Sequence, residues 1–230
     1  MTSLLSILAL GLFLGMRHAT DADHVVAVTT IVSKQRSIRG AAILGALWGV
    51  GHTLTIVLVG GAIVLFGVVI PPRVGLSMEL GVAVMLVVLG GANLVGAVRR
   101  IDDVAHGGLR EHTHALLPGG GLRSMVVGVV HGLAGSAAIA LLVLATIRDA
   151  RFAVLYLLVF GFGTVLGMML LTSAMVAPLA VASRKVEGLP RLMGRLTGVA
   201  SVVLGLFLAY RIGFLDGLFT GHVHWTPQLD

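Results

Sequence analysis

Six long apolar runs alternate with short polar segments along the chain. They cover roughly residues 4–32, 41–70, 80–98, 125–147, 152–181 and 196–219. Each run is rich in Leu, Val, Ala and Gly, and each can cross about 30 Å of hydrocarbon as a helix that rises about 1.5 Å per residue. The pattern therefore predicts an all-α, polytopic membrane protein with six transmembrane helices.

The composition agrees with this prediction and narrows the class of function. Apolar residues make up 57% of the chain and charged residues 11%, and the mean hydropathy is +1.03. A soluble domain cannot cover its surface with so few charged side chains. The connections between runs are too short for a catalytic domain, so we expect no enzyme activity, no catalytic residues and no bound cofactor. Cysteine is absent, which excludes thiolate metal ligands and disulfides.

The net charge of +6 is explained by topology. Basic residues stand in short loops rather than along one face, so the lipid bilayer is the expected partner and nucleic acid is not. One side of the membrane carries Lys34, Arg36, Arg39, Arg99, Arg100, Arg110, Arg123, Arg184, Lys185, Arg191 and Arg195, and the other carries Arg73, Arg148, Arg151 and Arg211. The positive-inside rule then places both termini outside the cytoplasmic membrane.

The two halves of the chain resemble each other. GMRH at 15–18 aligns with GVVH at 128–131, WGVGHT at 48–53 with FGFGTV at 160–165, and VVLGG at 87–91 with VVLGL at 202–206, at offsets of 112 to 115 residues. Chance similarity between Gly- and Val-rich segments is the alternative. Because three spans per half reverse the direction of entry, a duplication predicts two inverted three-helix repeats, an architecture typical of transporters.

This organisation predicts a single membrane domain over residues 1–230. Its parts are a first repeat at 1–98, a cytoplasmic loop with several histidines at 99–123, a second repeat at 124–220 and an external tail at 221–230.

The first apolar run is interrupted by five ionisable residues: Arg17, His18, Asp21, Asp23 and His24. Arg or Asp at the centre of a membrane helix costs about 2.5 to 3.5 kcal/mol each, so the three charged residues together cost roughly 8 to 10 kcal/mol. Arg17 and Asp21 are four residues apart and are predicted to form a supporting ion pair. A structural cluster of ion pairs near the outer surface is the alternative explanation of the whole segment.

The remaining polar residues of this segment fit a metal site. On a regular helix Asp23 would point away from His18, so we expect a broken helix around residues 19–23 that brings His18, Asp23 and His24 together. Imidazole and carboxylate groups suit Ni²⁺, Co²⁺, Zn²⁺ or Mn²⁺ and are poor ligands for Cu(I). The segment therefore predicts a site for a divalent transition metal.

Two further histidines lie inside apolar runs. His52, in GVGHTLTIV, is a candidate metal ligand or a partner of a ligand's carboxylate, and a packed core histidine is the alternative. His131, in HGLAGSAA, occupies the duplicated position of His18 and, with Ser136, is a candidate part of a pathway through the second half. His106, His112 and His114 in the loop and His222 and His224 in the tail are either metal-collecting ligands or simply solvated.

The run from His18 to His24 resembles the H-x-x-x-x-D-H signature of the nickel/cobalt transporter family, and GHTLTIV is similar to that family's second histidine motif. The resemblance implies a secondary permease for Ni²⁺ or Co²⁺, with His18, Asp23 and His24 essential and with Asp21 and His52 in support. The second half departs from the family. Its HGLAGSAA segment resembles shorter membrane proteins of the urease-accessory H type and sulfite-exporter-like proteins.

These observations favour import of a divalent transition metal, most of all Ni²⁺ or else Co²⁺, as the transported substrate. Four alternatives remain open at this point: export of Ni²⁺ or Co²⁺, export of an organosulfur anion, an intramembrane metallohydrolase, and a non-transporting urease or hydrogenase accessory protein. The accessory role would use cytoplasmic nickel-enzyme maturation proteins as partners of the 99–123 loop.

Overall fold

A computed structural model describes residues 4–32, 35, 37–68, 70–105, 119–133, 147, 149–182, 189–220 and 223–224. Regular structure within these ranges is helical throughout. The helices are α1 (Leu4–His18), α2 (Ala22–Val32), α3 (Ile38–Phe66), α4 (Pro72–Ala105), α5 (Gly119–His131), α6 (Ala150–Ala182) and α7 (Leu189–Tyr210), and a π-helical turn (Arg211–Leu215) follows α7. The prediction of an all-α membrane protein is confirmed at this level.

Four helices in the described part of the chain are long and apolar enough to cross a membrane. These candidate spans lie in α3, α4, α6 and in α7 with its π-helical turn. The pair α1 and α2 passes the same criterion when taken together, which brings the described total to five. The predicted fourth span, 125–147, is described as a helix only to His131, where α5 ends, and residues 134–146 lie outside the described ranges.

The first predicted span is broken, as its polar residues led us to expect. Helix α1 ends at His18, α2 begins at Ala22, and the two axes differ by 56°. Two backbone hydrogen bonds between residues three apart in the sequence close the turn. Thr20 N donates to Arg17 O at 2.8 Å, and Asp21 N donates to His18 O at 3.2 Å. Asp21 then precedes α2 in the capping position that Asp favours, and its carbonyl accepts from Val25 N at 3.0 Å.

The ends of α3 follow from local sequence. Ser37 caps the helix with its side-chain oxygen, which accepts from Gly40 N at 3.2 Å. Gly67 ends it in the left-handed conformation, with φ of 62°, and its N–H donates to Ile63 O at 3.1 Å. A glycine is favoured there because it has no Cβ to oppose a positive φ.

Both ends of the predicted polar loop at 99–123 are helical. Helix α4 continues to Ala105 and α5 begins at Gly119, while residues 106–118 lie outside the described ranges. The segment RRIDDVA after residue 98 contains neither Gly nor Pro, so its polar sequence holds no residue that would end the helix.

Helix α3 lies at the centre of the packing and contacts both α5 and α6, while α1 packs on α6 and α4 packs on α7. Glycines permit the close approaches: a Cβ on Gly15 of α1 would overlap the Phe160 carbonyl of α6, and one on Gly128 of α5 would overlap the Trp48 carbonyl of α3. Such contacts between small residues are the usual basis of helix association in membranes. They bring the break after α1 and the end of α5 to the same region of α3.

Candidate metal centre

Four histidines meet in the interior, where α1, α2, α3 and α5 come together. They are His18 at the end of α1, His24 in the first turn of α2, His52 in the middle of α3 and His131 at the end of α5. His18 is 6% exposed, His52 1%, and His24 and His131 are fully buried. Two partly buried carboxylates lie beside them. The side chain of Asp21 is 37% exposed and that of Asp23 is 20% exposed.

The ligand atoms form two groups of three that share one residue. The first group is His18, His24 and His52, and the second is Asp23, His24 and His131. Within each group, one ligand atom from each residue lies within 4.8 Å of the others. The side chains needed to bind a divalent ion are therefore already close together.

In the first group, His18 Nε2 and His52 Nε2 are 2.9 Å apart. On its other side, the His18 ring binds the Asp21 carboxylate, with 2.8 Å between Nδ1 and Oδ2. A histidine that contacts a carboxylate through one nitrogen and offers the other to a metal is a common arrangement in metal sites, because the carboxylate orients the ring and raises its basicity. Asp21 is thus placed to position His18.

The second group is built around the Asp23 carboxylate. Asp23 Oδ2 lies 3.0 Å from His131 Nε2, and Oδ1 lies 3.0 Å from His24 Nδ1 and 2.9 Å from the backbone nitrogen of His24. His131 Nε2 and His24 Nδ1 are 3.3 Å apart. Two nitrogens bound to one metal at about 2.0–2.1 Å with tetrahedral angles stand about 3.3 Å apart, so this spacing suits a shared ion.

One assignment of protons satisfies the cluster with four neutral imidazoles. His18 Nδ1–H donates to Asp21, His52 Nε2–H donates to His18 Nε2, and His24 Nδ1–H and His131 Nε2–H both donate to Asp23. The assignment leaves His24 Nε2, His52 Nδ1 and His131 Nδ1 as buried lone pairs without a hydrogen-bond partner. A buried polar atom without a partner is costly, and a metal ion bound at His24 Nε2 would satisfy that atom.

Close helix packing positions the two histidines that come from outside the α1–α2 break. A Cβ on Gly51 would overlap the Met125 carbonyl of α5, so α5 can lie directly against the turn that carries His52. Thr55 Oγ1 donates to Val129 O at 3.0 Å and ties the same two helices together. Thr53 Oγ1 donates to Gly161 O at 3.0 Å. Both hydroxyls therefore bind backbone carbonyls.

Two aromatic rings lie against the histidines of the cluster. Phe160 lies 5.7 Å from His18 between ring centroids, and Trp48 lies 5.6 Å from His131. Trp48 also stacks on His24, with an angle of 10° between the rings. We had not predicted either aromatic, although the alignment of WGVGHT with FGFGTV places them at equivalent positions and could have identified the pair.

Most of the predicted metal ligands lie together, and one predicted contact is wrong. Arg17 is exposed, and Asp21 pairs with His18 rather than with Arg17. The ion pair was predicted from the spacing of residues on a regular helix, and the helix ends at His18 between the two residues. Of the other predicted positions, His224 is exposed, and five fall outside the described ranges: Ser136, His106, His112, His114 and His222.

Comparison with known proteins finds a relative that aligns with almost the whole chain. The chain is 37% identical over 220 residues to the urease accessory protein UreH of Bacillus sp. (strain TB-90), and the alignment covers 94% of this chain and 96% of that protein. No family model matches the chain. No solved structure matches it either. The relative carries the name of an accessory protein rather than an enzyme, in agreement with the prediction that the chain has no enzyme activity.

Proposed function

The chain belongs to the family of the urease accessory protein UreH, within the nickel/cobalt transporter family, and from this premise we propose that it is a secondary permease that imports Ni²⁺ or Co²⁺. The observation that carries the proposal is the buried cluster of four histidines and Asp23 between helices of both halves of the chain. Ionisable residues inside a membrane protein are costly and usually mark a substrate pathway.

The chemistry of the cluster suits this substrate class. Imidazole nitrogens with one carboxylate oxygen bind Ni²⁺ and Co²⁺ well, and the cluster contains no thiolate or thioether that would favour Cu(I). The carboxylate of Asp23 compensates part of the charge of a divalent ion. The broken helix gives up regular backbone hydrogen bonds where it lines this site, which is typical of the binding sites of secondary transporters.

Paired contacts support an inverted repeat as the frame for transport. Gly15 packs on the Phe160 carbonyl, and Gly128 packs on the Trp48 carbonyl. In the proposed duplication, Gly15 aligns with Gly128 and Trp48 aligns with Phe160. Each contact therefore joins one half to the other, and the duplication exchanges the two contacts. We propose six spans in two inverted repeats with the metal between them, so that rocking of one repeat against the other exposes the site alternately to the two sides.

We propose that the protein lies in the cytoplasmic membrane with both termini outside. The proposal is supported by the distribution of basic residues, eleven on one side against four on the other. Metal then enters at the side of the termini and leaves at the side of the longest connection. The same orientation leaves residues 106–118, with His106, His112 and His114, on the cytoplasmic side.

The test measures cellular nickel, cobalt, zinc and manganese in cells that express the wild type or His24→Ala. We expect wild-type cells to accumulate nickel or cobalt above cells without the gene, and His24→Ala to abolish the gain. His224→Ala is the matched control, because His224 is exposed and lies outside the cluster. A net loss of metal in wild-type cells would instead identify an exporter, and sulfur-anion efflux without metal movement would refute metal transport.

A second function is favoured by the relative's name. Because that protein is called a urease accessory protein, we also propose that the imported metal serves maturation of a nickel enzyme in the cytoplasm. A non-transporting accessory role predicts loss of urease or hydrogenase activity on deletion with unchanged cellular nickel. The permease role predicts that both fall together and that added external nickel restores the enzyme activity.

A further inference from the structure

We propose that the cluster holds the metal ion at two successive positions that share His24, one completed by His18 and His52 and the other by Asp23 and His131. The proposal rests on the proposed function and adds a step to it. The observation behind it is that the ligand atoms separate into two groups of three with one common member. As the ion passes from one group to the other, its bond to one nitrogen of His24 breaks and a bond to the other nitrogen forms.

The residues that distinguish the two positions come from equivalent places in the two halves. His18 ends α1 and His131 ends α5, and the two helices align through GMRH and GVVH. Phe160 lies 5.7 Å from His18 and Trp48 lies 5.6 Å from His131, and these aromatics are aligned as well. Each position is thus completed by the terminal histidine of one half, enclosed by an aromatic of the opposite half.

His24 lies between the two terminal histidines. Its ring centroid is 4.6 Å from that of His18 and 4.1 Å from that of His131, and both pairs are arranged edge to face. His24 Nδ1 faces Asp23 and His131, while Nε2 is buried without a hydrogen-bond partner. Because the ring has two nitrogens, the ion can change position by leaving one nitrogen and binding the other, while the proton of the ring moves to the nitrogen that the ion has left.

Charge limits the cluster to one ion at a time. The second position contains one carboxylate, and the first has Asp21 only through His18. Two divalent ions separated by a single imidazole ring would repel each other strongly in a buried site with so little negative charge. The two groups are therefore alternative positions of one ion rather than a binuclear site.

The two positions of the ion differ in which half of the chain supplies their ligands. The first position takes all three of its ligands from the first half of the chain, whereas the second recruits His131 from the other half. Rocking of the repeats moves His131 relative to His24 and so changes the relative affinity of the two positions. Such a difference in affinity between conformations is what couples an ion to a conformational change.

The experiment uses the full chain purified in lipid nanodiscs and titrated with Ni²⁺ alone. We expect one Ni²⁺ per chain in the wild type. His52→Gln removes a ligand of the first position only, and His131→Gln removes a ligand of the second only. If each position holds at least about a tenth of the bound ion, each single variant weakens binding by no more than about tenfold. The double variant loses binding altogether, and both single variants abolish uptake in proteoliposomes.

X-ray absorption of the bound Ni²⁺ distinguishes the positions directly. In the His131→Gln protein, the ligands that the protein supplies to nickel should all be nitrogens. In the His52→Gln protein, the nickel ligands should include a carboxylate oxygen, and this oxygen should disappear from the spectrum when Asp23→Asn is added. His224→Gln serves as the matched control, and glutamine at each position keeps a side chain of similar volume so that folding can be verified by thermal melting. Should a single variant not fold, the same spectra of the wild type at saturating and substoichiometric Ni²⁺ test for a mixture of the two ligand sets.

Several results would overturn the proposal. They are two Ni²⁺ ions per wild-type chain, equal loss of binding in either single variant and in the double variant, or identical ligand spectra in the two single variants. Each of these leaves the permease intact if the wild type still binds and transports nickel. A wild type that neither binds nor transports nickel overturns both proposals, so the two failures are distinguishable.

Discussion

Replacing Gly128 by alanine tests how the second half of the chain delivers its histidine to the metal. Gly128 lies on α5 three residues before His131, against the backbone of α3. A Cβ at this position would overlap the Trp48 carbonyl and would lie 2.6 Å from Trp48 Cδ1 and 3.0 Å from the backbone nitrogen of His52. Trp48 is 1% exposed and stacked on His24, so it has no space into which to move.

The size of the effect follows from these distances. To restore an ordinary contact of at least 3.4 Å with Trp48 Cδ1, α5 must move by at least about 0.8 Å, and it must move further to clear the Trp48 carbonyl. A shift of about 0.8 Å along the bond from His131 Nε2 to Asp23 Oδ2 lengthens it from 3.0 Å to about 3.8 Å, beyond hydrogen-bonding range. Losing a hydrogen bond to a charged group costs about 1.5 to 3 kcal/mol. The affinity of the second metal position should therefore fall roughly 10- to 100-fold. The overall nickel affinity should fall by no more than about tenfold, because the first position still binds the ion, whereas uptake, which needs both positions, should fall roughly 10- to 100-fold.

The assay is uptake of radioactive nickel into cells, together with nickel titration of the purified protein. Gly120→Ala is the matched control, because Gly120 lies on the same helix and a Cβ there would meet no atom within 4 Å. It should bind and transport like the wild type. The reasoning is refuted if Gly128→Ala folds and keeps the wild-type rate of uptake, since α5 would then tolerate the added methyl without displacing His131.

Two further predictions follow from other contacts. Asp21→Asn should lower nickel uptake by about 10- to 100-fold, because the carboxylate orients His18; unchanged uptake would mean that Asp21 does not position the ring. Asn93→Leu should lower the melting temperature, since the amide donates to Thr30 O and Gly194 O across three helices and the loss of these bonds costs about 1 to 3 kcal/mol; a melting curve like that of the wild type would count against this role.

The break in the first helix was predictable because it follows from local chemistry. Five ionisable residues within an apolar run are too costly on a regular helix exposed to lipid, and Asp23 cannot join His18 without a turn between them. The structure places the turn between His18 and Ala22. His52 was identifiable for the same reason, because a histidine in the middle of an apolar span needs a polar partner.

The partner of Asp21 was predicted wrongly for an equally physical reason. The spacing of Arg17 and Asp21 brings them together only if the helix continues, and the break that gathers the metal ligands removes that spacing. Asp21 is then free to bind His18, and Arg17 is left exposed. The same feature of the sequence therefore produced one correct prediction and one incorrect one.

The sequence by itself determined the class of the molecule, because mean hydropathy, run length and charged residues inside the runs depend on each residue's transfer between water and lipid. It also determined the ligand types and hence the kind of ion they suit. Only the tertiary structure decided which ligands share an ion. His131 lies 107 residues from His24 in the chain, and it reaches Asp23 and His24 because Gly128 and Gly51 let α5 lie against α3. That contact depends on the packing of two helix backbones, which no local pattern of residues encodes.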